Sequence, residues 1–221
     1  MFHHIHPYPP FNLENATKLI VGTLPPPRFT TQLLKPGDVD FSYGSIDGQL
    51  WRILDLIFNL NLRFEDSLYA INQRKEFLKR RGIGICDIVA SARREKIDAS
   101  DLGMQEVALR DLIDILKEYP NIKTLLFTGG NSKNGPEYFF RRLAKAHSIS
   151  LQLISSEVPR MHSFQLPHKN GFRTVETVSL TAPSGSANRA VGSNLLYKKL
   201  KAENPAYTTI DFRANQYKRF F

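Results

Sequence analysis

Cysteine is almost absent: the one residue, Cys86, lies in the apolar run Ile83-Gly84-Ile85-Cys86. A lone thiol excludes an internal disulfide, a multi-cysteine metal centre and an iron–sulfur cluster, and in that setting it is expected to be buried and inert. No run approaches the roughly 20 consecutive apolar residues of a membrane-crossing helix, and the start of the chain lacks the charged-then-apolar pattern of a signal peptide. A soluble, intracellular protein is therefore expected, cytoplasmic or associated with the nucleoid, with no membrane partner. Internal repeats and low-complexity tracts are also missing. His3, His4 and His6 offer metal-ligating side chains without carboxylate support, so they are expected to be incidental in a mobile, exposed N-terminal tract. Neither a metal nor a cofactor is expected.

What the chain has in quantity is apolar side chains and positive charge. Its 221 residues, 42% of them hydrophobic, suffice to bury one sizeable core, and the length favours one α/β domain over residues 1–221, expected as a monomer. Against 21 Asp and Glu stand 30 Lys and Arg, a net charge of +9. The cations cluster at Arg74, Lys75, Lys79, Arg80 and Arg81, at Arg93, Arg94 and Lys96, at Arg141, Arg142 and Lys145, and at Lys198, Lys199 and Lys201. Such a field suits a phosphate-bearing polymer; solvated helix faces in a merely basic protein are the plain alternative.

Two hydrophobic runs, Lys18 to Val21 and Val175 to Leu180, have the character of buried strands, and a stiff loop follows each. The first loop is Gly22-Thr23-Leu24-Pro25-Pro26-Pro27 and the second Ala182-Pro183-Ser184-Gly185-Ser186-Ala187-Asn188. Open α/β sheets bind ligands beyond the carboxyl ends of their strands, so the two loops are expected to flank one pocket. Elsewhere the pattern predicts helices over 48–59, 73–81, 105–118 and 136–146, strands over 82–89, 123–128 and 150–155, and closing helices over about 188–201 and 205–218. Pro205 suits a first helical turn. The alternation predicts an α/β three-layer sandwich with a central, mainly parallel sheet of about four strands, covered on both faces. The polar stretch 35–48 is long for a connector and is a functional-loop candidate; Trp51, on the apolar helical face that follows, is expected in the core.

A proline-rich loop holds its backbone groups with little entropy left to lose, which suits a preorganised site and equally suits a plain structural turn. Ser184, Gly185 and Ser186 at a helix start, with Asn188 and Arg189 beyond, form a candidate clamp for a phosphate, with simple helix capping by Ser186 as the other reading. Asp87 interrupts a buried run near its carboxyl end, either to bond a ligand or to cap. Arg160, His162, His168 and Lys169 fall in what is expected to be a loop after the strand at 150–155.

Together these segments resemble the uracil-DNA glycosylase superfamily, which has a Gly-x-x-Pro loop after its first strand and a Pro-Ser loop entering a late helix. The hypoxanthine-DNA glycosylase branch is the most similar. Its aromatic and polar segment ending in Phe-Trp is seen as Tyr43 to Gln49 followed by Leu50-Trp51, and its Gly-Ile-Gly strand ending in Asp as Gly82 to Asp87. Its Ser- and Asp-containing stretch corresponds to Ser91 to Asp101. The likeness runs from about residue 18 to 200. Leu24 and Ala182 stand where other branches carry polar residues, and Gly48 where this branch has an Asn with the catalytic part.

The resemblance implies a monofunctional glycosylase that hydrolyses the N-glycosidic bond of a damaged or deaminated base, uracil or hypoxanthine, flipped from lesion-bearing double-stranded DNA. It implies Asp47, beside Gly48, as catalytic carboxylate. Gly22, Thr23, Leu24 and Pro25 would then meet the leaving base, Phe41 or Tyr43 would stack on it, and Asp87 would bond its edge or a water. Ser184, Gly185, Ser186, Asn188, Arg189, Arg160 and His162 would contact DNA. A catalytically silent nucleic-acid-binding protein of this fold and a glycosidase acting on free nucleosides or nucleotides remain the alternatives.

Overall fold

The computed structural model describes residues 1–169 and 171–221. In chain order its elements are β1 (Phe2–Ile5), β2 (Lys18–Val21), α1 (Pro27–Thr30), α2 (Leu50–Phe58), α3 (Leu68–Arg81), β3 (Ile83–Ile85), β4 (Val89–Arg94), β5 (Gln105–Leu109) and α4 (Leu112–Glu118). There follow β6 (Thr124–Phe127), α5 (Pro136–Ala146), β7 (Gln152–Ser155), β8 (Arg160–His168), β9 (Gly171–Ser179), α6 (Asn188–Ser193), α7 (Leu195–Glu203) and α8 (Thr209–Tyr217).

Among the described residues six strands form the main sheet, in the order β3-β2-β6-β9-β8-β7. β3, β2, β6 and β9 run parallel, β8 antiparallel to β9, and β7 antiparallel to β8. Strands buried on both faces need continuous apolar runs, and side chains of period two divide such runs between two cores. Leu19, Val21, Leu125 and Phe127 pack with α4, α5 and the interior of β4, whereas Ile20, Leu126 and Val178 pack with α2, α3 and α8. Trp51 lies in the second core. Helices thus cover both faces, as expected, over a sheet larger by the antiparallel pair β7 and β8. No helix among the described residues is long and apolar enough to cross a membrane.

The helix boundaries follow local chemistry. Ser67 caps α3 by accepting from Ala70 N–H, and Gly82 ends it at φ +60°, in the left-handed region that favours glycine. That start is earlier than residue 73. Asp111 caps α4, and Thr208 with Asp211 forms a capping box on α8. Pro205 therefore precedes the last helix without belonging to its first turn, and Asn194 divides the expected 188–201 helix by capping α7.

Four further expectations are corrected. Residues 105–109 are strand, not helix: Val107 and Leu109 fit period two as well as 3.6, and pairing with β4 supplies the hydrogen bonds. The run 82–89 is not one strand, because the chain leaves the main sheet after Ile85 and β4 joins a second, antiparallel sheet of order β1-β4-β5. The N-terminal histidines are no loose tract: β1 pairs with β4, and His4 is wholly buried against the Arg94 guanidinium. Arg160 to His168 form β8 rather than a loop, since β9 offers nine register partners. Several clustered cations are structural too. Arg74 is buried, donating to the Arg63 and Ala70 carbonyls, whereas Lys198, Lys199 and Lys201 lie exposed on α7.

Candidate active site

The carboxyl ends of the four parallel strands open on a cavity of about 570 Å³, within the roughly 300–1,000 Å³ of small-molecule sites. β2 leads into Thr23, Leu24 and Pro25, β3 into Asp87, β6 into Thr128, and β9 into Ala182, Pro183, Ser184 and Ser186. Tyr43, Ser45, Asp47, Gly48 and Gln49 close one side, Ser100 and Asp101 another, and His6 and Tyr8 reach in from the N-terminal segment. The two stiff loops thus border one cavity. The second is also joined to the 35–48 loop, where Gln49 N–H donates to the Pro183 carbonyl at 2.9 Å and Gly48 bridges Ser184.

The floor is built on Asp87. Its Oδ1 accepts from Gly22 N–H at 2.6 Å and from the Tyr43 hydroxyl at 2.5 Å, and its Oδ2 from His6 Nε2 at 2.9 Å. His6 Nδ1 accepts from Tyr8 N–H, so the ring hydrogen sits on Nε2. Burial, then the neighbouring Asp87 charge, push the Tyr43 phenol above its ordinary range. Gly22 has no alternative: a Cβ there would collide with the Tyr43 hydroxyl and stand 2.9 Å from Asp87 Oδ1 and Thr128 Oγ1. The 35–48 loop is anchored by buried Asp38, which accepts from Arg28, Lys35 N–H and Ile46 N–H.

The inner wall carries Asp101, at the start of a short 3-10 turn that sequence reasoning passed over. Its Oδ1 accepts from the Thr23 hydroxyl at 2.8 Å. Asn134 holds the backbone by donating to the Asp101 and Met104 carbonyls, and buried Arg94 donates to the Ser100 carbonyl. Burial pushes the Asp101 carboxyl above the usual range, the Thr23 hydrogen bond and Arg94 acting against that rise. The only sequence signal for it was its place at the end of the Ser91–Asp101 stretch.

At the rim, Asp47 is 61% exposed and pairs with Arg28 and Lys35, both at 3.1 Å. Ser184 and Ser186 bond each other through their hydroxyls, and Ser186 makes no cap to α6, whose N-cap is Ala187. Gly185 and Arg189 are exposed beside them, while Asn188 accepts from Arg213 and Thr209. Gln49 Oε1 is buried without a hydrogen-bond partner among the described residues.

Phe41 is not placed for stacking. Only 6% exposed, it packs behind the cavity with Tyr8, Phe11 and Trp51. Arg160 and His162 also lie apart from the lining: Arg160 donates to buried Glu137, and His162 bonds Arg141, which pairs with the same carboxylate. Burial pushes the Cys86 thiol up to about 12, so it is inert as expected. Asp111, Asp114 and His147 bring ligand atoms within 4.8 Å of one another away from the cavity, but Asp111 is already the α4 cap and the partner of His147.

The comparison that decides the family is with hypoxanthine DNA glycosylase of Methanosarcina barkeri (strain Fusaro / DSM 804), which is 31% identical over 160 residues, 69% of this chain and 87% of that protein. The chain belongs to the hypoxanthine-DNA glycosylase branch of the uracil-DNA glycosylase superfamily. No family model and no solved structure matches it. Leu24, Gly48 and Ala182, the positions where the sequence differs from other members of the superfamily or of this branch, all line the cavity.

Proposed function

We propose that this protein hydrolyses the N-glycosidic bond of hypoxanthine, with uracil as second candidate, in double-stranded DNA. The observation that carries the reading is the cavity at the strand ends, bordered by both motif loops, in a chain related to a hypoxanthine DNA glycosylase. A base inside a duplex cannot reach such a cavity, so it must be extruded into it. Thr23, Leu24 and Pro25 then lie against the base, backbone amides of that loop meet charge on the departing ring, and Tyr43 offers a face for stacking. Gln49, with an unpartnered amide oxygen, suits the –CO–NH– edge that hypoxanthine and uracil share and that adenine and cytosine lack. No lysine is among the described residues lining the cavity, which supports hydrolysis without imine chemistry.

Ser184, Gly185, Ser186 and Arg189 at the rim, with Lys198, Lys199 and Lys201 on the exposed face of α7, suit the phosphate backbone. The test is base release from labelled duplexes carrying hypoxanthine, uracil or mismatched thymine, read as strand scission after alkali. Release of hypoxanthine is expected. Leu24 and Ala182 favour a second reading, a silent binding module: tight duplex binding with no release of any base would establish it.

A further inference from the structure

Among the described residues three carboxylates border the cavity, and they are not equivalent. Asp87 has both oxygens engaged, accepting from the Gly22 amide, the Tyr43 hydroxyl and the His6 ring. Asp47 is exposed and its charge is met by Arg28 and Lys35. Asp101 differs from both: Oδ1 accepts from the Thr23 hydroxyl, and Oδ2 has no hydrogen-bond partner among the described residues. Its position is held from three sides, by Thr23 after β2 and by Asn134 through its own carbonyl, both remote in the chain, and by nearby Arg94 of β4 through the Ser100 carbonyl. A carboxylate so firmly placed, with one oxygen free at a cavity wall, is preorganised to hold a reacting water.

We propose that Asp101 is the catalytic carboxylate of the base-release reaction, an assignment that rests on the reading given under Proposed function. Its free oxygen accepts the hydrogen bond of a water aimed at C1′ of the extruded nucleotide. As the C1′–N9 bond of deoxyinosine breaks, the bonding pair leaves on N9 and C1′ gains positive character. The water oxygen bonds C1′ and its proton passes to Asp101. That proton then neutralises the departing hypoxanthine anion, directly or through solvent, so the carboxylate is regenerated and the products are the abasic sugar and the free base.

The surroundings suit a base rather than an inert anion. The charged and titratable groups that face Asp101 are Arg94, with His4 and Asp98 on its guanidinium, and Asp87, with His6 across the floor. Burial raises the carboxyl, and Asp87 acts in the same direction. A carboxyl with a raised pKa is a stronger base when ionised, and its catalysis disappears as pH falls through that pKa.

The experiment is single-turnover release of hypoxanthine from a duplex by full-length protein, with Asp101→Asn, Asp101→Glu, Thr23→Val and Asp47→Ala beside the wild type. Asp101→Asn is expected to slow release by about 10²–10⁴-fold, to bind the duplex as tightly, and to erase the acid limb of the pH–rate profile. Asp101→Glu is expected to restore part of the rate. Because the raised native pKa makes the ionised group a cost to folding above it, Asp101→Asn at neutral pH should melt no lower than wild type. Thr23→Val removes a hydrogen bond to the charged form, so its acid limb should move to higher pH; should Asp101→Asn not fold, this variant decides, and an unmoved limb overturns the proposal. A rate for Asp101→Asn within threefold of wild type overturns it, as does a loss carried by Asp47→Ala instead, or a wild-type rate that falls with rising rather than falling pH. If the wild type releases no base from any lesion duplex, the glycosylase reading itself fails and this assignment with it.

Discussion

The floor and the rim of the cavity are built on opposite terms. At the floor Asp87 gathers donors from Gly22, Tyr43 and His6, residues from three separate segments, and a glycine is required where they meet. At the rim Asp47, Ser186 and Arg189 are exposed and Ser184 is half-buried, and the rim is joined across the mouth by the contacts of Gly48 and Gln49 with the second loop. Groups that must stand in place before a substrate arrives are locked in a water-poor setting where hydrogen bonds are strong. Charge that only steers a polyanion works at range and needs no such lock.

The contrast is most exposed to failure at Asp87. Asp87→Ala strands three donors, each worth about 1–3 kcal/mol when left unpaired, so chemical denaturation should register a loss above about 3 kcal/mol. The rim pair Ser184→Ala and Ser186→Ala should stay within about 0.5 kcal/mol of wild type. Equal losses would abolish the distinction.

The next effect concerns the strand that carries His6 to the floor. Burial, then Arg94, lower His4 from 6.5 to about 4, so the native state refuses a proton that the unfolded chain accepts. Stability from this group is therefore full above pH 6.5 and lost as pH falls toward 4, amounting to about 3 kcal/mol. Denaturation across that window should show the slope, and His4→Gln should flatten it; an unchanged slope would mean that β1 does not hold the floor in this way.

Smaller effects belong to the transition between floor and rim and to the rim itself. Gln49→Ala should slow hypoxanthine release about tenfold, the worth of one or two hydrogen bonds; an unaltered rate would remove Gln49 from base recognition. Arg189→Ala should lower the dependence of duplex affinity on salt by about one counterion. A salt titration that leaves the slope untouched would place Arg189 outside the interface.

How much was legible in advance varied with the range of the interactions involved. β2, β6, α2 and α5 were visible because each carries its periodicity within a few residues, and Trp51 fell in the core for the same reason. β5 reads as helix from the sequence because Val107 and Leu109 satisfy both periods in a short segment, and only pairing with β4 decides between them. An aromatic in a polar loop, such as Phe41, reads as exposed; packing against Tyr8 and Phe11, residues far away in the chain, buries it.

Short-range patterns and motif order are enough to specify the α/β alternation, the two stiff loops at strand ends and the family. Long-range packing alone buries His4 and His6 but not His3, engages both oxygens of Asp87, leaves Asp101 Oδ2 without a hydrogen-bond partner among the described residues, and pairs Asp47 at the rim. A side chain's hydrogen-bond partners and its distance from water are set by segments remote in sequence, and no local pattern records which segments those are.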